Sequence, residues 1–496
     1  SFAGSAYAFG IFSPLLSKNL GYTAKTLDVI ASIANIGSIF VGFGIDVYGI
    51  HAVVKFGGCL IFIGLTYIWL AIEQLIPTNP LFIGFFYFLV QTGSCCFIAS
   101  AVTAAIMVFP EEGKGTAIGL VKGYFALSTA VLANLSVGFF SGSPSMFVLF
   151  IAILIPITGL FGVSLVVIPN IPYTNNTSAT GIWFVRHWIC LFVTLFVVST
   201  LMYTIHDDWL HPFSATVILL LLLSLSMIPY LLYPTSVLYT GTDKTTTEEE
   251  EGNPLLDETS ITLYSSVSLQ DIVHFKPNLD PTFKQVEIKR SIPFKEAVYT
   301  WQMWALCYIL FSLSGAGLMV IYNVIAIGTA VGLTPSAYFI SLTALSNGFG
   351  RVIAGLVADH IGKYIPLLPI TPLHLLAIVA ANMAIIQGIL SMGIQATILP
   401  GLLMVSFYYG CTASLISVNI TDIFGPEYVA TNLGFIETSP ILGGFIFASL
   451  VVNGFYSDNT INNEGNLICQ GRNCFEMAFI ISSIACIIAA VIAIYI

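Results

Sequence analysis

Residues 346–363 read S-N-G-F-G-R-V-I-A-G-L-V-A-D-H-I-G-K, beginning inside an apolar run and ending at its polar edge. One cation, Arg351, stands about seven residues from that edge, roughly 10 Å deep at ~1.5 Å per residue. A guanidinium at that depth costs at least about 2.5–3.5 kcal/mol, so it needs a wet cavity or a partner. The stretch then delivers Gly355-x-x-x-Asp359-x-x-Gly362-Lys363. The same pattern stands 313 residues earlier as Gly42-x-x-x-Asp46-x-x-Gly49, and Gly37 and Gly350 fall in register at that spacing. A four-point match at one offset marks a duplicated chain.

The rest of the chain sets the solvent in which that duplication works. Of 496 residues, 57% are hydrophobic and only 8% charged, with a mean hydropathy of +0.93. Soluble domains carry about a quarter charged residues, so the chain reads as an all-α polytopic membrane protein. Half of the net charge of −10 comes from residues 235–297, which hold 11 acidic and 6 basic residues. Nothing in this balance points to nucleic acid. Ser1 and Ile496 both lie inside apolar runs, so both termini are expected to be cut short.

A spanning helix needs about 20 mostly apolar residues. On that count, spans are expected near 1–16, 27–45, 53–73, 81–108, 116–140 and 146–168, then near 183–205 and 214–234. Six more follow near 298–328, 336–358, 365–389, 396–420, 429–454 and 475–496. The total is about 14 transmembrane helices. Helices are the expected form because backbone groups in lipid must be satisfied internally. The division is a six-helix bundle over 1–168, a linker with two inserted helices over 169–234, an acidic linker over 235–297, and a second six-helix bundle over 298–496. A second internal match supports it. Phe109, Glu112, Thr116 and Gly119 meet Phe424, Glu427, Thr431 and Gly434 at an offset of 315, and Lys122 then meets Glu437.

Loop Lys and Arg residues favour the Asp46/Asp359 side as cytoplasmic, by a modest margin. The acidic linker is then cytoplasmic, and the loop C-Q-G-R-N-C faces the lumen or the outside. Cys469 and Cys474 in that loop are expected to close a short disulfide if the compartment is oxidising. The other seven cysteines lie in apolar runs and read as small core residues.

The repeated G-x-x-x-D-x-x-G resembles the signature of the major facilitator superfamily. Within it the chain is similar to the monocarboxylate-porter-related branch, and most to nodulin-like and fungal monocarboxylate-transporter-homologue proteins. The resemblance rests on Ala6-Tyr7-Ala8-Phe9-Gly10 with Ser13-Pro14, on Phe109-Pro110 through Lys122-Gly123, on Asn347-x-x-x-Arg351, and on Cys469-x-Gly-x-x-Cys474-Phe475. Two extra helices between the halves are also a nodulin-like trait. It departs at Ile50-His51, where the superfamily has basic residues, and after Asn323, where nodulin-like proteins are more polar. The resemblance implies two pseudo-symmetric six-helix bundles plus two central helices, with solute bound near the midplane and access alternating between the two sides.

The candidate solute contacts are Arg351, Lys122, Glu437, Asn347, Asn323 and Tyr322. A guanidinium offers a planar fork that fits a carboxylate, and in related organic-anion porters the matching Arg touches substrate. The competing reading is a gating or structural charge pair. Lys122 and Glu437 are expected to pair when the cytoplasmic side closes, with solute or a proton competing; a permanent ion pair is the alternative. Glu437 is the candidate proton carrier, because burial favours the neutral form of a carboxyl. Asn347 sits one turn before Arg351 and is placed to orient it. Tyr322 and Asn323 can equally be satisfied packing groups, and the lone polar residues Tyr7 and His374 read as structural.

Gly42, Asp46, Gly49, Gly355, Asp359 and Gly362 have a gating reading. The glycines let helices cross closely, and each aspartate suits a helix N-terminus. Glu251, Leu255 and Leu256 fit an acidic dileucine sorting motif read by clathrin adaptors, against a plain disordered linker. The motif favours a vacuolar, lysosomal or endosomal membrane, with the plasma membrane as the alternative. No metal-ligand spacing, nucleophile–base pair or phosphate loop is present in the sequence, so no cofactor and no enzymatic activity are expected. The favoured activity is secondary transport of a small organic anion, with proton coupling as its companion. The alternatives are a neutral polar solute such as an amino acid or sugar, and a non-transporting membrane sensor.

Overall fold

The computed structural model describes residues 9–22, 26, 30, 37–76, 78–109, 113–140, 143–164, 189, 193, 291–333, 337–364, 370–458, 460–463 and 466–496. Apart from residues 189 and 193, the two inserted helices expected over 183–234 lie outside the described residues, as do the acidic linker up to Arg290 and the dileucine residues Glu251, Leu255 and Leu256. So does Tyr7.

In the first half, α1 is Phe9–Leu20, α2 Ser38–Ile72, α3 Pro80–Val108, α4 Lys114–Phe140 and α5 Pro144–Ser164. In the second half, α6 is Trp301–Ala330, α7 Ala337–Tyr364, α8 Pro372–Leu390 and α9 Gln395–Phe424. A broken segment follows, formed by α10 Val429–Ile436, α11 Ser439–Gly443, a π-helical stretch Gly444–Val451 and α12 Val452–Asp458. The last helix is α13, Glu476–Tyr495. Among the described residues, eight helical segments are long and apolar enough to cross a membrane. Large apolar side chains such as Phe40, Leu442 and Ile494 are exposed on the outside, the arrangement a bilayer requires. The chain is a multi-pass membrane protein.

Local chemistry sets the helix ends. Asn79 caps α3 by accepting from Leu81 N at 2.9 Å, with Pro80 at the first helical position. Thr371 and His374 form a reciprocal capping box on α8, which gives the lone histidine its structural role. At 35 residues α2 would run about 52 Å if straight, longer than a bilayer core of about 30 Å. It does not run straight. Gly49 adopts φ 78°, ψ 165°, a conformation open to glycine, and turns the chain there. The expected spans 27–45 and 53–73 are thus joined by one residue's break rather than by a loop.

The second copy of the motif behaves differently. Helix α7 continues unbroken through Gly362 to Tyr364, six residues past the expected end at 358. Arg351 therefore stands midway along a 28-residue helix, not near its end. The expected single span 429–454 is present as one membrane-long segment, Val429–Tyr456, but it is not one regular helix. Pro440 has no N–H for the ladder and its ring crowds the preceding turn, and the regular helix stops at Glu437, which caps α10.

One departure from an all-helical chain occurs among the described residues. Thr460–Asn463 (β1) pairs antiparallel with Asn466–Cys469 (β2). The disulfide Cys469–Cys474 follows directly. Gly471 N donates to Ala330 O at 2.7 Å and Arg472 Nε to Ser391 O at 3.0 Å, tying this loop to the ends of α6 and α8.

Candidate functional site

The two halves meet chiefly along two crossings, α2 with α10 and α4 with α7, with α4 also touching α9. Each crossing carries one aspartate of the repeated motif. Asp359 on α7 accepts from Gly115 N at 2.8 Å, Thr116 N at 2.6 Å and Thr116 Oγ1 at 2.6 Å. These donors belong to the first turn of α4, where backbone N–H groups have no partner within the helix. Asp46 on α2 accepts from Thr431 N at 3.0 Å and from Thr431 Oγ1, in the first turn of α10. Each half thus supplies a carboxylate to the positive end of a helix in the other.

The glycines explain how the backbones come so near. A Cβ added at Gly42 would lie 2.2 Å from Ala430 O, and one at Gly355 would lie 2.2 Å from Gly115 O. No side chain fits at either point. Gly49 turns the chain, whereas Gly362 is an ordinary position in α7. Of the six gating candidates, the structure brings Gly42 and Asp46 together on one crossing and Gly355 and Asp359 on the other.

Two turns deeper lies the charge cluster. Lys122 on α4 is 4% exposed, and its Nζ donates to Glu437 Oε1 at 2.7 Å and to Ala413 O at 2.8 Å. Glu437 holds that position at the break between α10 and α11, with its side chain 32% exposed. Arg351 on α7 is 5% exposed. Its Nε donates to Asn347 Oδ1 at 3.0 Å, its Nη1 donates to Lys122 O at 3.3 Å, and its guanidinium carbon lies 5.8 Å from the centre of the Phe125 ring. Asn347 is itself fixed by donating to Ser406 O at 3.2 Å. Among the described residues no carboxylate pairs with Arg351. Among the described residues the cluster thus holds two buried cations and one carboxylate, which pairs with Lys122.

The two remaining candidates are placed elsewhere. Asn323 spends its amide on Met319 O at 3.0 Å and Ala448 O at 3.3 Å, which holds α6 to the π-helical stretch. Tyr322 is 62% exposed.

A cavity of about 20 Å³ opens onto the ion pair, lined by Ser38, Cys95, Thr103, Lys122, Gly434 and Glu437 among others. It has room for one water and not for an organic solute. Sequence reading passed over Ser38, Cys95 and Thr103, since isolated Ser, Cys and Thr in apolar runs look like small packing residues. One signal for Ser38 was available: at the offset of 313 it is the position that Arg351 occupies in the second half.

Residues 1–230 match the family described as nodulin-like. Over 165 residues, 32% of this chain, the sequence is 30% identical to the oxalate:formate antiporter of Oxalobacter formigenes, and it spans 38% of that relative's length. Among solved structures, the proton:xylose symporter XylE of the major facilitator superfamily superposes with a TM-score of 0.57 at 12% identity, covering 99% of this chain and 92% of that one. The major facilitator transporter FucP in its outward conformation superposes with a TM-score of 0.50 at 13% identity, covering 100% and 97%. At these identities the structures speak to fold alone. The chain is thus similar to the nodulin-like family over residues 1–230, and it takes the major facilitator fold.

Proposed function

We propose that the protein is a secondary transporter that moves a small organic anion, a carboxylate, by alternating access, with a proton carried on Glu437. The observation that carries this reading is Arg351, a buried cation held, among the described residues, by neutral acceptors only. A buried charge left without a counter-ion is costly, and a solute carboxylate is the partner its free N–H groups suit. Lys122 is the second anion-binding cation, and becomes available when Glu437 is protonated and lets it go. Asn347 orients Arg351 in this scheme. Asn323 and Tyr322 are assigned peripheral parts.

The relative named as an oxalate:formate antiporter supports a small carboxylate as solute, and the symporter fold supports coupling to protons. The two aspartate crossings act as gates, formed when the cytoplasmic side is closed and broken when it opens. In the same reading the chain comprises two six-helix bundles separated by two further helices and a cytoplasmic linker. Glu251, Leu255 and Leu256 direct it through an adaptor to a vacuolar or endosomal membrane.

A second reading has one observation in its favour. Arg351 grips the Lys122 carbonyl of the opposite half, so the charges can serve closure alone while a neutral polar solute binds elsewhere. Purified protein in liposomes separates the two. A panel of carboxylates, amino acids and sugars is offered with and without a pH gradient. Carboxylate uptake that is raised by an inward proton gradient and abolished in Arg351→Gln is the expected result. Uptake of a neutral solute by both proteins favours the second reading.

A further inference from the structure

The duplication pairs Ser38 with Arg351, and the packing keeps that equivalence. A Cβ on Gly119 would lie 2.7 Å from Arg351 O, and one on Gly434 would lie 2.8 Å from Ser38 O. Arg351 thus stands beside the turn that leads to Lys122 as Ser38 stands beside the turn that leads to Glu437. The side chains differ in what they find. Arg351 reaches Asn347 and the Lys122 carbonyl. Ser38, 8% exposed, lines the small cavity, and its Oγ has no hydrogen-bond partner among the described residues.

An orphaned buried hydroxyl costs about 1–3 kcal/mol unless something satisfies it. The cavity supplies both the room and the company. Its volume of about 20 Å³ exceeds the ~10–15 Å³ that one water occupies, and a buried water needs 2–4 polar partners. Ser38 Oγ is one and the Lys122 ammonium, whose Nζ uses two donors on Ala413 and Glu437, is a second. The Glu437 carboxylate is a third, since Oε1 takes the lysine and Oε2 is left over.

We propose that Ser38, Lys122 and Glu437 bind a single water in this cavity, and that this water is the immediate proton donor and acceptor of Glu437. The proton step rests on the role assigned to Glu437 above. A proton arriving on the water makes a hydronium; its O–H bond breaks as the carboxyl O–H forms, and neutral water remains. Ser38 acts as a positioning residue, accepting from the water or donating to it. The titratable groups facing Glu437 are Lys122 on α4 and Cys95 on α3. Arg351 on α7 adds its charge through Lys122, and α6 brings Cys307 to Ser439.

Infrared difference spectroscopy of the purified protein in lipid, recorded between high and low pH, tests the site without any solute. The band of the protonated Glu437 carboxyl is identified by its loss in Glu437→Gln, and water O–H stretches by their shift in oxygen-18 water. In Ser38→Ala the carboxyl band should move to the higher frequency of a group with one hydrogen bond fewer, and the paired water stretch should disappear. Ser38→Gly, which adds no methyl to the cavity wall, must give the same two changes and covers a folding failure of the first variant. An unaltered carboxyl band and water stretch in either folded variant overturns the water site. A protein that shows both changes yet moves no organic anion keeps the water site and loses only the transport reading.

Discussion

Gly42→Ala is a steric test of the gate. The new Cβ would sit 2.2 Å from Ala430 O, and ordinary van der Waals contact begins near 3.4 Å. Helix α10 must therefore withdraw by about 1.2 Å from α2. Thr431 is the next residue, and its N–H lies 3.0 Å from Asp46 Oδ2. A withdrawal of that size carries the bond beyond hydrogen-bond range and breaks the hydroxyl bond beside it. A hydrogen bond to a charged group contributes about 1.5–3 kcal/mol. Loss of even one of the two Asp46 bonds should therefore shift the balance between closed and open by roughly 10- to 150-fold, at ~1.4 kcal/mol per decade. Spin labels on α2 and α10 at the aspartate side, read by pulsed electron resonance, report the two populations as distances. Gly44→Ala is the control, because its Cβ would meet only Val53 Cγ2, at 3.5 Å. If both variants show the wild-type distance distribution, the contact is not what holds the two helices together.

Three further outcomes follow from the same geometry. Asp359 accepts three hydrogen bonds and Asp46 two, so Asp359→Asn should open the α4–α7 crossing more than Asp46→Asn opens α2–α10; equal or reversed effects in the distance measurement count against the assignment. Lys122→Ala leaves Glu437 without its cation, and Glu437→Gln leaves two buried cations with no anion. Each single change should lower thermal stability, toward the lower end of ~3–5 kcal/mol because Glu437 is partly exposed, while the double variant loses less than the sum; strict additivity in a double-mutant cycle would show the pair to be uncoupled. Replacing Cys469 and Cys474 by serine opens a loop of sequence separation 5, worth about 2 kcal/mol by chain entropy. The melting temperature should fall, and an unchanged value would mean that the Gly471 and Arg472 clips hold the loop alone.

The sequence by itself determined the solvent, the duplication and the identity of the costly groups. Apolar runs of spanning length, the twofold G-x-x-x-D-x-x-G, and Arg351, Lys122 and Glu437 inside such runs are one-dimensional signals, and each has a local physical cause. The boundaries were less legible. Gly49 and Gly362 hold the same place in the repeated motif, yet one turns the chain and the other sits in continuous helix. The break after Glu437 depends on how Pro440 is accommodated, which the apolar pattern conceals.

Only the tertiary structure decided who meets whom. Asp359 finds Gly115 across 244 positions, a contact fixed by how closely the glycine-lined helices cross, whereas the Lys122–Glu437 pair, formed across 315 positions, was already expected from the duplication. It also decided that, among the described residues, Lys122 is paired while Arg351 is not, and that Ser38 keeps an unspent hydroxyl in the cavity that Glu437 also lines. Burial and partner are properties of the packed interface between the halves, and a residue's own neighbours in the chain carry no record of them.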